Sequence, residues 1–156
     1  MSDVRPAGPD DWATYRDIRL AALADAPMAF GSTLAREQDY TETRWRELMT
    51  TSQVFIGYVD DKPLAVAAGL PRVDGDAELV AVWAHPSARG TGLAAAVVGA
   101  VMTWAHTYPR LWAWVASTNP AAERLYLRLG FERNGITQAN PHDPDHVDHR
   151  LVVASP

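Results

Sequence analysis

The chain has 156 residues, 47% of them apolar and 21% charged, with a formal net charge of -5. That composition supports one globular domain with a real core, spanning 1–156, and excludes a disordered or low-complexity chain. The acidic balance argues against a nucleic-acid partner, and the absence of cysteine excludes disulfides, thiolate zinc sites and a cysteine nucleophile.

No window approaches the roughly 18 uninterrupted apolar residues that a membrane span needs, and "MSDVRPAGPDD" offers no apolar leader core. The expectation is a soluble cytoplasmic protein. In chain order, "VRPA" (Val4 to Ala7) reads as a short first strand. Pro9-Asp10-Asp11 starts a helix along which Trp12, Tyr15, Ile18 and Ala22 recur near helical spacing. Pro27 and Gly31 break that pattern in "DAPMAFGST". A second helix follows over Thr41 to Met49, capped by Thr41. "VFIGYV" and "LAVAAGLP", joined by Asp60-Asp61-Lys62-Pro63, form a hairpin, and "ELVAVWA" (Glu78 to Ala84) is the next strand.

From Gly92 to His106, Leu93, Val97, Val101 and Trp104 fall at helical spacing, with Thr91 or Gly90 as the cap. "LWAWVAS" (Leu111 to Ser117) alternates as a strand. Asn119-Pro120 then supplies a cap and a first-turn proline, and Gly130 closes that helix. Phe131 to Arg133 and Val147 to Val153 are weaker strands around a loop rich in Pro, His and Asp. The order is β-α-α-β-β-β-α-β-α-β-β. Strand–helix–strand–helix–strand in its middle requires a parallel crossover, while the hairpins require antiparallel pairs. The fold class is therefore α/β (mixed α+β), with a twisted mixed sheet of about six or seven strands and helices on both faces.

The segment "AHPSARGTGLAAAVV" places two glycines and an arginine between a strand and a helix. Free N–H groups and the helix dipole at such a junction favour an anion, glycines let it reach the backbone, and Arg89 adds a charge-assisted contact. The residues alone leave two readings open, a plain turn and a dinucleotide loop. Gly90-Thr91-Gly92-Leu93-Ala94-Ala95 matches G-x-G-x-x-A, but the acid such a fingerprint needs about 20 residues on is missing from "TYPRLWAWVAS".

"VWAHPSARGTGLA" resembles the acetyl-CoA motif of the GNAT N-acetyltransferase superfamily, Arg/Gln-x-x-Gly-x-Gly/Ala at the head of a helix. "STNPAAERLYLRLGF" resembles that superfamily's other signature, with Asn119, Ala122, Leu125, Tyr126, Gly130 and Phe131 in place. The two occur in order, and the element order agrees over essentially the whole chain. The resemblance implies a single GNAT-like domain that moves acetyl from acetyl-CoA to a primary amine by direct attack, through a tetrahedral intermediate. It also leaves open a non-catalytic CoA-binding or sensing module on the same fold.

The resemblance assigns roles residue by residue. The pyrophosphate would sit on the backbone of Arg89, Gly90, Thr91, Gly92, Leu93 and Ala94. The pantetheine arm would pair with Val82, Trp83 and Ala84, where β-strand pairing must open, and Asn119 and Ala122 would flank it. An N–H near Trp83 or Ala84 would hold the oxyanion. Tyr126 matches the usual general acid; against a thiol near pKa ~8.5 and a tyrosine near ~10, full transfer is uphill by roughly 2 kcal/mol. Either the site lowers that pKa or the hydroxyl stabilises the thiolate by hydrogen bonding. Glu78 is the candidate base, directly or through water, and a base-free path by proximity stays open.

Acceptor contacts are expected from Asp25 to Thr33, including Met28 and Phe30, and from Asn134 to His149. Trp83, Trp112 and Trp114 offer either an aromatic wall or core packing. His142, His146 and His149, among Asp143, Asp145 and Asp148, read as a solvated turn, and no metal is expected. The acceptor is a small-molecule or peptide amine, with no membrane or nucleic-acid partner. Dimers are common in the family, so a homodimer is compatible with the reading.

Overall fold

The computed structural model of the chain describes residues 1–154. Seven strands form one sheet in the order β1-β2-β3-β4-β5-β7-β6. They are β1 Ser2–Ala7, β2 Gln53–Val59, β3 Lys62–Pro71, β4 Ala77–Ala84, β5 Arg110–Ala116, β6 Glu132–Ala139 and β7 Val147–Ala154. The helices are α1 Trp12–Asp25, α2 Leu34–Glu37, α3 Glu42–Thr51, α4 Leu93–Trp104 and α5 Pro120–Arg128.

Local chemistry fixes most of the boundaries. Asp60 and Asp61 take positive φ of 50° and 64°, which closes the β2–β3 hairpin with a two-residue turn. The Thr41 hydroxyl accepts from Arg44 N at 3.2 Å and starts α3. The Asn119 side chain accepts from Ala122 N at 3.3 Å, ahead of Pro120 at the first position of α5. Residues Pro9–Asp11 form a separate 3-10 turn before α1, and α2 is an added helix between Thr33 and Thr41, where the sequence assigns no element. Its Thr33 cap accepts from Arg36 N at 3.2 Å, a signal that Pro27 and Gly31 upstream obscured. β6 is also longer than the three residues expected, because pairing with β7 continues past a bulge between Arg133 and Thr137.

Each sheet face buries its own core. Val54, Ile56, Val66 and Ala68 pack under α1 and α3, with Trp45 almost fully buried between Tyr15 and Tyr40. Ala65, Ala67, Leu79, Leu111 and Leu151 pack on the other face, under Val97, Val98 and Val101 of α4 and Tyr126 of α5. Two glycines are required by that second packing. An added Cβ at Gly57 would meet the Leu93 and Val97 side chains, and one at Gly69 would enter the Trp104 ring. On the α1 side, Arg19 grips Glu37 of α2 with bonds of 2.9 and 3.0 Å, both side chains being largely buried.

Gly99, inside α4, has open space where a Cβ would go. The same substitution therefore has opposite signs at two sites. Gly69→Ala is expected to destabilise by about 1–3 kcal/mol through overpacking, and Gly99→Ala to stabilise by about 0.4–1 kcal/mol through helix propensity and a less flexible unfolded chain. Urea unfolding of the two variants checks both signs.

Candidate active site

β4 and β5 run parallel but pair only at Ala77–Leu111 and Glu78–Trp112. Beyond that point the strands part. A bulge against β3 lies at the same place, where Ala81 has φ of 59°, a conformation unusual for a residue with a side chain. The edge of β4 from Leu79 to Ala84 is left without a partner on the β5 side. A strand edge with unpaired N–H and C=O groups is the surface to which an extended amide-bearing ligand can add.

Two connected chambers occupy the gap. One, of about 830 Å³, is bounded by Val82, Trp83 and Ala84 of β4, by the glycine loop, and by Asn119, Ala122 and Leu125. The second, of about 390 Å³, is bounded by Glu78 to Val82, by Trp114, Tyr126 and Asp148, and by the Met28–Ser32 segment. Met28, Ala29, Phe30, Val82, Asn119 and Ala122 belong to both.

The glycine loop delivers its amides to the larger chamber. Gly90 and Gly92 have φ of 79° and 87°, and Gly92 caps α4, one or two positions later than the Gly90 or Thr91 expected from sequence. The shift follows from backbone geometry: left-handed φ is needed at the last residue before Leu93, and glycine takes it without strain. The first bond into α4 is Ala96 N to Gly92 O at 3.0 Å, so Leu93, Ala94 and Ala95 have no intrahelical acceptor. Neither Thr91 nor Leu93 lines the chamber. The Thr91 hydroxyl donates to Ala88 O at 2.5 Å, and the Leu93 side chain is buried against Gly57.

Arg89 is already engaged. Its NH2 donates to Asp25 Oδ2 at 2.5 Å and its Nε to Ala84 O at 3.2 Å. The same Asp25 oxygen accepts from Trp83 Nε1 at 3.0 Å, and these bonds, Trp83's first and then Arg89's, hold the carboxyl below its usual range. A cation on α5, Arg128, also borders the chamber. Asp25 carries no recognisable signal in the sequence, because it is merely the last residue of α1, brought across by the fold.

In the smaller chamber, burial pushes the Tyr126 hydroxyl well above its ordinary pKa, with no hydrogen bond to a described residue acting on it. Burial also raises Glu78, against the opposing charges of Arg72 and Arg150; its carboxylate is 3.5 Å from Arg72 NH1. Tyr126 and Glu78 thus border one cavity from opposite sides of the parted sheet. Trp114 is part of the chamber wall, whereas Trp112 is buried beneath the Arg150 guanidinium, 4.1 Å from its ring centre. Gln138 and Asp148 also line the chamber. Asp148 lies within the strand expected over Val147 to Val153, here β7, and at 6% exposure it is an interior residue rather than part of a solvated turn. His142 reaches across from the β6–β7 loop to the carbonyl of Phe30, and His146 bonds Asp143 at 2.6 Å. No group of three or more metal-ligating side chains is assembled among the described residues, and no helix there is long and apolar enough to cross a membrane.

A mixed sheet parted between two parallel strands thus carries a glycine loop and a helix N-terminus at the mouth of its gap. The model of the acetyltransferase (GNAT) family matches residues 18–131. The chain is 38% identical over 139 residues to an uncharacterized N-acetyltransferase of Mycobacterium tuberculosis, covering 86% of this chain and 83% of that protein. It is equally similar to one from Mycobacterium bovis. Among solved structures, a GNAT-family acetyltransferase from Streptococcus pneumoniae aligns over the whole of both chains at TM-score 0.82 and 16% identity. A putative acetyltransferase from Salmonella typhimurium, with its cofactor acetyl-CoA, aligns over 100% of this chain and 95% of that one at 0.79 and 18%. The chain belongs to the GNAT acetyltransferase family.

The Asp25–Arg89 pair borders the larger chamber beside the anion-favouring head of α4. Asp25→Asn keeps an acceptor for Trp83 and removes the competing carboxylate. Acetyl-CoA is expected to bind about two- to fivefold more tightly to that variant, the size of effect an exposed charge pair supports, and with a steeper loss of affinity as salt is raised. Calorimetric titration at two ionic strengths measures both.

Proposed function

We propose that the protein is an N-acetyltransferase that moves acetyl from acetyl-CoA to a primary amine. The observation that carries this reading is the parting of β4 from β5 directly above the glycine loop. The larger chamber takes the cofactor. Its diphosphate accepts from the amides at the start of α4, with Arg128 and, once exchanged from Asp25, Arg89 as cations. Its pantetheine arm pairs with the open edge of β4 at Val82 to Ala84, beside Asn119 and Ala122. The acetyl end then lies at the junction of the two chambers.

The acceptor amine enters from the smaller chamber and must arrive neutral, because an alkylammonium with pKa near ~10 has no lone pair to give. Glu78, raised by burial, takes that proton directly or through water. The amine nitrogen bonds to the thioester carbonyl carbon, and an N–H of the β4 edge near Trp83 or Ala84 holds the oxyanion of the tetrahedral intermediate. The C–S bond breaks and the thiolate leaves toward Tyr126. A tyrosine pushed upward by burial is a poor net proton donor but a persistent hydrogen-bond donor. Tyr126 therefore stabilises the thiolate by hydrogen bonding, and its final proton comes from the one released by the amine or from solvent.

Calorimetric titration with acetyl-CoA tests the cofactor. Micromolar binding to the wild-type protein is expected, with a loss of at least about tenfold in Gly92→Val, where a branched side chain meets a left-handed backbone beside the anion site. Failure of acetyl-CoA to bind the wild-type chain would end the reading. Binding without transfer to any amine would instead mark a CoA-binding or sensing module.

Glu78 also sets a pH expectation. Below its pKa the carboxyl is protonated and cannot act as base, so kcat/KM rises with pH through a value above the ordinary ~4.3 of glutamate. Glu78→Gln is expected to remove that inflection, lower kcat by about 10² and leave only the rise caused by deprotonation of the free amine. An unchanged profile would assign proton removal to water alone.

A further inference from the structure

The acceptor chamber carries several charged side chains, and among the described residues one of them, Asp148, is in no ion pair. Arg19 borders the chamber, but its Nε–Nη2 edge is paired bidentately with Glu37 at 2.9 and 3.0 Å. Glu78 has Arg72 at 3.5 Å. Among the described residues Asp148 is bonded by two neutral amides, Asn140 Nδ2 at 2.9 Å on one oxygen and Gln138 Nε2 at 3.3 Å on the other, while Arg150 on the same face of β7 stacks on the Trp112 ring instead. It is 6% exposed and faces the chamber. An ionised carboxylate offers about four acceptor positions, so two amides leave it unsaturated in hydrogen bonds as well as in charge. A carboxylate buried without a cation is costly, and the cost falls sharply when a cation arrives.

The surroundings specify the form of that cation. Asp148 pairs with Ala116 of β5, two residues from Trp114, so the Trp114 side chain is on the same sheet face and roughly 7–8 Å away on the diagonal. Trp114 borders the same cavity and offers a ring face to an ammonium group. Tyr126, a buried side chain, lines the cavity from the other side, where the reacting atoms are proposed to meet. Asp148 lies on the far side of β5 from β4, so a nitrogen held there is at least one strand spacing, roughly 5 Å, beyond the nitrogen that reacts in the gap. A volume of about 390 Å³ suits a small molecule.

We infer that the acceptor is a small amine bearing a second positive group, and that Asp148 binds this second group and so determines specificity. The inference rests on the acetyl-transfer reading for the identity of the site, but binding tests it without turnover. Diaminobutane and butylamine have the same carbon chain and differ by one ammonium group. Each is titrated calorimetrically into the CoA-saturated wild-type protein and into the Asp148→Asn and Asp148→Glu variants. kcat/KM for both amines is then measured with acetyl-CoA.

The wild-type protein is expected to prefer the diamine by about ten- to hundredfold, the range of a hydrogen bond to a charged group. Asp148→Asn, which keeps an oxygen for Asn140, is expected to bring the two amines within about twofold, and Asp148→Glu to keep most of the preference. Equal binding of the two amines to the wild-type protein would overturn the inference whether or not the variants fold. So would a preference that persists undiminished in Asp148→Asn. A diamine preference without any acetyl transfer would uphold the Asp148 site and overturn only the transfer reading.

Discussion

The site depends on one constraint: β4 and β5 cannot stay paired beyond Glu78 and Trp112. On one side β4 is held to β3 through a bulge in which Ala81 adopts a left-handed conformation. Such a conformation costs on the order of 1 kcal/mol and persists only where its surroundings enforce it. On the other side β5 is committed to β7 along its whole length, from Arg110 to Ala116. A strand fully paired to one neighbour and bent away from the other opens a gap through the sheet rather than a groove upon it. This is how residues from opposite faces, Glu78 from one and Tyr126 from the other, come to border a single cavity.

The gap also governs the electrostatics. Its two chambers are proposed to receive ligands of opposite charge, and their linings differ accordingly. The larger chamber has unpaired amides at the head of α4, together with Arg89 and Arg128. The smaller has Glu78 and Asp148, with Arg19 neutralised by Glu37. Asp25 appears to contradict this division, since it places a carboxylate beside the anion loop. Its bonds to Trp83 and Arg89 explain it: before ligand arrives, the loop's guanidinium has a partner and a fixed position, and the indole N–H of a nearly buried tryptophan is satisfied. The Met28–Phe30 segment, which begins three residues after Asp25, borders both chambers.

Features that depend on local chemistry were legible in the sequence. The glycine loop, the Asn119-Pro120 helix start, the Asp60-Asp61 turn and the alternation of "LWAWVAS" each announce a backbone state that only a few residue types favour. What was hidden depends on distant parts of the chain. The α4 cap is Gly92 because the loop needs left-handed φ at two positions, and spacing alone did not tell which glycine adjoins the helix. Asp148 sits among histidines, aspartates and prolines that look like a solvated turn, and only pairing with β5 and β6 makes it an interior residue. Asp25 and the Ala81 bulge have no local signature at all. The former is a surface position on its own helix, and the latter is a consequence of how β3 and β4 register.

Burial of Tyr126 bears on a question that its position in a motif leaves open. A phenol serves as a net acid toward a thiolate only if its own pKa is brought down, by a nearby cation or by bonds to the phenolate. Among the described residues neither acts: burial pushes the hydroxyl's pKa up and favours the neutral form. The same low-polarity surroundings that make proton release unfavourable strengthen a hydrogen bond from the intact O–H to a sulfur anion. Within the proposed mechanism, the chamber that disqualifies Tyr126 as a proton source thus makes it an effective donor to the leaving group. Proton balance is then left to Glu78 and water on the acceptor side, where the amine must give up a proton in any case.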